Sequence, residues 1–363
     1  MSQWPVYTGA SAPHDHVDAL PDPPPWRAFD GGPPLEPPAD TDGDGGAVSP
    51  DRVHRARTYQ ATEESVDLVN AALYLRRPLL VTGPPGSGKS SLAYAVAREL
   101  RLGPVLRWNI TSRSTLQDGL YQYDPLARLY AVRAAAVRAT HAADPVGAAA
   151  DGAQPVPADG DGGGDDGVED HLRLGPLGTA LLPYRRPRAL LIDEIDKSDL
   201  DLPNDLLNVL EEGQYRIPEL VRAARHTPRA EVMVDGGRDR VSVEDGTVRC
   251  RSFPFVVLTS NGEREFPPAF LRRCVSLRLR RPDGDRLERI VSAHLGAPDD
   301  YARGLIATFL DRSDAGELAT DHLLNAIYLT GAAGLTGPSR DALAARLMPY
   351  LEGGPEAGDG DGF

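Results

Sequence analysis

Cysteine is nearly missing from this chain. Cys250 and Cys274 are the only two in 363 residues, too few for a disulfide framework and without metal-ligand spacing between them, so buried or half-buried thiols are expected. Long apolar runs are lacking as well. Nothing approaches the roughly 20 apolar residues of a membrane-spanning helix, and the opening MSQWPVYTGASAPHDH has neither the basic start nor the apolar stretch of a secretory signal. The expectation is a cytoplasmic protein that does not engage a membrane. Lysine is scarcest among the charged residues: of 39 basic residues only Lys89 and Lys197 are lysine, and 37 are arginine. Where arginine is the default cation, a retained lysine marks a place that needs a compact point charge instead of a planar fork.

Net charge is −14, but it is unevenly spread. Residues 1–57 contribute −5, residues 142–170 contribute −8 and residues 353–363 contribute −3, which leaves the rest at +2. The three acidic pieces are also rich in proline and glycine, a composition whose burial does not offset its ordering entropy. They are expected to be disordered. The near-neutral remainder argues against a large phosphate-backbone surface, so a nucleic-acid partner is not expected.

Between those pieces, short apolar strands alternate with helices. PLLVTG (78–83), VLRWNI (105–110), RALLIDEI (188–195), FPFVVLTSN (253–261) and VSLRLRR (275–281) read as strands. Helical spacing appears at 90–100, near 114–140, at 201–212 and near 267–273. Continuous apolar strands separated by helices imply a mainly parallel sheet covered on both faces. RVSVEDGTVRC (240–250) alternates around Asp-Gly and predicts a hairpin. From about 283 the strands stop, and apolar residues three and four apart predict a small helical bundle. The predicted fold is thus α/β: an acidic tail at 1–57, a nucleotide-binding domain at 58–282 interrupted by the 142–170 insertion, a helical lid at 283–352, and a short tail at 353–363.

GPPGSGKSS, with Gly83, Pro84, Pro85, Gly86, Ser87, Gly88, Lys89, Ser90 and Ser91, follows a strand and opens a helix. Its glycines let backbone N–H groups converge on phosphate oxygens, and the helix adds its positive end. Lys89 is placed to reach the β- and γ-phosphates of ATP. In LLIDEIDKSD, Asp193 is expected to hold Mg²⁺ together with Ser90, and Glu194 to polarise an attacking water. Asn261, ending the VVLTSN strand, is placed either to orient that water or to make a turn before Gly262. Asn109 is read as a partner for Glu194 or as a strand-end turn residue. Lys197 is read as an anchor for its loop, a contact to a neighbouring subunit, or a surface ion pair.

These motifs, followed by FPPAFLRRC and GPSRDAL, resemble the AAA+ ATPases over about residues 58–352, and the hairpin just before VVLTSN resembles the insertion of their MoxR-like branch. The resemblance implies a homo-oligomeric ring, usually hexameric, with ATP and Mg²⁺ between subunits. It puts the trans-acting arginine on Arg273, or on Arg272, because Cys274 stands where relatives carry phenylalanine. It puts a second-sensor arginine on Arg340, although the local order Pro338, Ser339, Arg340 departs from the family's. Tyr121 and Tyr123 fall where relatives present a loop to the ring's centre, or else pack beside a helix. The implied activity is ATP-driven remodelling of a client protein, and the resemblance implies a von Willebrand factor A-type partner. The competing readings are a nucleotide-gated switch or scaffold, for which Trp26 and Phe29 would serve as exposed docking aromatics, and a nucleic-acid motor of the same fold.

Overall fold

The computed structural model describes residues 4–38, 49–142, 167–237, 239–313, 319–332 and 337–347. Its strands are β1 (Leu79–Thr82), β2 (Leu106–Asn109), β3 (Tyr121–Tyr123), β4 (Leu172–Leu174), β5 (Ala189–Asp193), β6 (Gln214–Arg216), β7 (Arg229–Met233), β8 (Arg240–Glu244), β9 (Thr247–Arg249), β10 (Phe255–Ser260) and β11 (Val275–Arg278). The helices begin with α1 (Pro50–Thr58), α2 (Glu63–Leu75), α3 (Lys89–Glu99), α4 (Leu116–Leu120), α5 (Pro125–Ala142) and α6 (Pro176–Ala180). They continue with α7 (Leu202–Glu212), α8 (Pro218–Ala223), α9 (Pro268–Leu271), α10 (Gly284–Leu295), α11 (Asp300–Ser313), α12 (Thr320–Ala332) and α13 (Pro338–Leu347).

Five strands form one parallel sheet in the order β11-β1-β10-β5-β2. Successive side chains of a strand point to opposite faces, and the two cores follow that period. Leu190, Ile192, Val256 and Leu258 enter one core, while Ala189, Leu191, Phe255 and Val257 enter the other with Leu92, Val96 and Val69 of α3 and α2. Both faces are covered, which is why the strands read as unbroken apolar runs. The register pairs Thr82 with Ser260 and Leu258 with Ile192. The C-terminal ends of β1, β10 and β5 therefore meet along one edge, where crevices form in sheets of this type. Helices α10 to α13 pack a separate core from Leu287, Val291, Ile306, Phe309, Leu323 and Ala326.

Two expectations need correction. The turn of the predicted hairpin is present, with Asp245 and Gly246 both at positive φ (50° and 62°), as a two-residue turn requires. Its arms, however, belong to different sheets: β8 pairs antiparallel with β7, and β9 with β6. Alternation identifies a strand but not its neighbour.

The larger correction concerns the tail predicted over 1–57. Residues 4–38 are packed, with Val6, Tyr7, Val17 and Arg27 buried, and residues 50–58 form α1. The segment is a strap held by acceptors in the core. Buried Asn70 accepts from Val6 N and Tyr7 N (2.8 and 2.9 Å) and donates to Tyr7 O (2.7 Å). Buried Glu99 accepts from Thr8 N, Thr8 Oγ1 and Ser11 N at 2.6–3.1 Å. Arg27 donates to Arg76 O, Leu210 O and Glu211 O, carbonyls at the C-terminal ends of α2 and α7, where a cation also meets the negative end of each helix dipole. Phe29 stacks on Phe253, ring centroids 5.6 Å apart, and is half-buried; Trp26 stays exposed. Satisfied backbone groups order the strap together with its few buried apolar side chains, Val6, Tyr7 and Val17. Of the insertion, Val168–His171 forms a short 3₁₀ turn with Val168 buried; residues 143–166, 348–352 of the lid and the 353–363 tail lie outside the described residues.

Candidate functional site

The loop from Gly83 to Gly88 curls because its glycines take conformations other residues avoid: Gly86 has φ 72° and Gly88 φ 89°. At Gly86 space forbids a side chain too, since a Cβ would lie 2.8 Å from Ala319 Cβ and 2.9 Å from Thr320 N at the start of α12. The loop thus touches the helical domain directly. Gly88 caps α3, so the first N–H groups of that helix face the loop. Lys89, 8 % exposed, donates from Nζ to Gly83 O (2.8 Å) and Pro84 O (2.9 Å). Burial lowers its pKa, opposed by the nearby charges of Asp196, Asp193 and Glu194.

Asp193, at the end of β5, is held through both of its carboxylate oxygens. Its Oδ1 accepts from Ser90 Oγ (2.8 Å) and Thr259 Oγ1 (2.7 Å), and its Oδ2 accepts from Arg107 Nη2 (2.7 Å). Burial raises its pKa, but the bonds from Thr259, Ser90 and Arg107 outweigh that and leave it lowered, so it is ionised at neutral pH. Glu194 leaves the strand with φ 63°; its N–H donates to Thr259 Oγ1 (2.8 Å), and its Oε2 accepts from Lys197 Nζ (2.7 Å). That bond raises the Lys197 pKa. The partner found for the Glu194 carboxylate is therefore Lys197, not Asn109. Asn261 is positioned by buried Asp196, whose Oδ2 accepts from Asn261 N (2.9 Å), Ser260 Oγ (3.0 Å) and Glu263 N (3.2 Å).

A cavity of about 690 Å³ joins these groups. Its floor is Pro85–Ser91, Asp193, Glu194, Thr259 and Asn261; one wall is α1 with Tyr59 and Gln60; the other is α10 and α12, with Arg286, Ile290, His294, Leu324 and Tyr328. Tyr59 and Gln60 line it just beyond the end of α1. Arg340 does not: it pairs with Asp299 (3.5 Å) and lies over the Tyr301 ring at 3.6 Å. The cation that α10 presents to the cavity is Arg286, whose Nη2 donates to Gln60 O (3.2 Å). Arg272 and Arg273 are outside the cavity and reach solvent, Arg273 with Nε on Glu211 Oε1 (2.6 Å). Tyr121 is buried in β3 against β4, so a gripping role fails for it; Tyr123 is half-buried beside Arg128.

Sequence reasoning missed Thr259, Arg107, Asp196 and Arg286. Thr259 lies within the VVLTSN strand, but only its place one position beyond the Leu258–Ile192 pair brings its hydroxyl to Asp193. The donor set fits a nucleotide triphosphate with Mg²⁺. The loop amides and Lys89 supply positive charge, Ser87 Oγ is buried in the loop without a partner, and Ser90 and Asp193 offer hard oxygens. Among the described residues no helix is long and apolar enough to cross a membrane.

A parallel sheet with a glycine loop, a lysine at the head of the next helix and an acid pair on a nearby strand defines a P-loop nucleoside-triphosphatase fold. The chain belongs to the AAA domain family, dynein-related subfamily, whose model matches residues 78–274, more than half of its length. No curated protein matches it. Among solved structures it is similar to NtrX from Brucella abortus in complex with ADP, at 14% identity and a TM-score of 0.41, covering 85% of this chain and 59% of that one. The chain thus spans less than two thirds of NtrX.

Proposed function

We propose that this AAA protein is a Mg²⁺-dependent ATPase of the MoxR-like kind, acting as a homo-oligomeric ring, that uses hydrolysis to remodel or activate a client protein. The observation that carries the reading is the convergence of Lys89, Ser90, Asp193, Glu194 and Asn261 on one cavity roofed by the helical domain. In this reading the loop amides and Lys89 hold the phosphates, and Ser90 and Asp193 hold the cation. When bound, Mg²⁺ neutralises charge on the β- and γ-phosphate oxygens. Glu194 polarises the attacking water and Asn261 orients it. Arg286 replaces Arg340 as the cation from the lid, and Arg273, or Arg272 beside it, serves a neighbouring subunit. A von Willebrand factor A-type partner follows from the MoxR-like assignment.

Mg²⁺-dependent ATPase activity that rises with protein concentration tests this. Glu194→Gln and Arg273→Ala should each abolish it, and mixing the two should restore part of it, because each supplies what the other lacks at a shared site. Unchanged activity in both variants refutes the assignment. The bond from Lys197 to Glu194 favours a second reading, an ATP-gated switch: ATP binding without turnover in the presence of any partner would select it.

A further inference from the structure

Arg107 has no place in the motif readings, yet it makes one of the shortest polar contacts of the site, 2.7 Å from Nη2 to Asp193 Oδ2. It stands on β2, where Asn109 is in register with Asp193, and so reaches the carboxylate from the strand beyond the acid pair. Ser90 and Thr259 take the other oxygen, Oδ1. Both oxygens of the acid expected to bind the cation are therefore engaged, one of them by a full positive charge. The Arg107 side chain is about one third exposed, so the pair is screened in part and not locked in the core. Its Nε is buried without a partner.

We propose that Arg107 is a positioning residue that sets the divalent-cation requirement of the nucleotide site by competing for Asp193. The inference rests on the nucleotide reading above. Two cations cannot approach one carboxylate without mutual repulsion, so Arg107 raises the concentration at which Mg²⁺ is captured with the nucleotide. While it remains in place, it also offsets the crowding of Asp193, Glu194 and Asp196, with Lys89 turned to its own loop carbonyls. The cation site then fills efficiently only when the triphosphate contributes oxygens of its own.

The test is a Mn²⁺ titration followed by electron paramagnetic resonance, with a non-hydrolysable ATP analogue at saturation, on the full chain and two variants. Arg107→Gln removes the charge and should lower the half-saturating Mn²⁺ concentration about tenfold, with partial exposure limiting the change. Arg107→Lys keeps the charge on a shorter stem and should fall between, about threefold lower. Thermal unfolding measured alongside should show a larger gain from Mn²⁺ plus analogue in Arg107→Gln than in the natural chain. Half-saturation within twofold of the natural chain in both variants, with melting points shifted equally whether or not ligand is present, overturns the inference and leaves Arg107 a structural brace. If Arg107→Gln does not fold, Arg107→Lys decides by the same criterion. Failure of the natural chain to bind the analogue at any Mn²⁺ concentration would instead refute the nucleotide reading itself.

Discussion

Arg27→Met should destabilise the protein without touching nucleotide binding. Methionine keeps the stem that packs by Phe29 and Phe253, while removing the guanidinium that lies 4.5 Å from the Phe253 ring centroid. Four N–H contacts to three carbonyls disappear: Nε and Nη2 to Arg76 O (3.0 and 2.6 Å), Nη2 to Leu210 O and Nη1 to Glu211 O (both 3.0 Å). Each carbonyl left unpaired in the buried strap interface costs about 1 kcal/mol, and relief of the guanidinium's burial offsets part of the sum. The expected loss is about 2–3 kcal/mol. For a domain of this size, each kcal/mol lowers Tm by about 2 °C, so circular dichroism should register a drop of about 5 °C. Limited proteolysis should then cut first within residues 4–38. Affinity for a fluorescent ATP analogue should stay within about twofold, because Arg27 sits at the C-terminal ends of α2 and α7 and the cavity is at the C-terminal ends of the strands. A Tm within 1 °C of the natural chain would refute the view that the strap is held through this residue.

Three further outcomes are expected. Thr259→Val keeps the shape but strips the hydroxyl that donates to Asp193 and accepts from Glu194 N; turnover should fall about tenfold or more, equivalent to about 1.4 kcal/mol in the barrier, and equal turnover would remove Thr259 from the site. Lys197→Gln frees Glu194 from an ion pair exposed by about two fifths on both sides; such pairs contribute about 0–1 kcal/mol, so basal hydrolysis should rise by no more than about fivefold, and a fall would mean that Lys197 assists catalysis. His294 contacts His54 at 3.0 Å across the α10–α1 contact, with Asp321 facing it, and burial followed by His54 lowers its pKa below 6.5. The unfolded chain therefore takes up this proton first: stability is complete above the ordinary histidine value and declines as pH falls through 6.5 toward the lowered one. Tm followed from pH 7.5 to 5 should show this decline, reduced in His294→Asn; identical curves would exclude the pair as its source.

The parts of the site legible in the sequence are those whose chemistry is local. The loop 83–90 carries its own glycines, lysine and helix start, and 193–194 announces itself by acids closing an apolar strand. Thr259 and Arg107 act through cross-strand register, which strand patterns leave open, because β10 and β2 flank β5 from opposite sides. Arg286 and Arg340 both sit on helices of the lid, and only the packing of α10 and α12 over the loop tells them apart. The strap was misread for a related reason. Its composition describes a chain that cannot bury itself, whereas its order comes from Asn70 and Glu99, acceptors more than 60 positions away.

The strap also sets a sequence of events at the ribosome. Phe29 waits for Phe253, about 220 residues later, and Gly31 N for Cys250 O. At roughly 5–20 residues per second, that is an interval of about 10–45 s, during which an early segment must stay unpaired while the sheet it will girdle is still being made. The part of the strap around Phe29 and Gly31 is therefore seated only after the segment that leads into β10 has been made, well after Val6 and Tyr7 can meet Asn70.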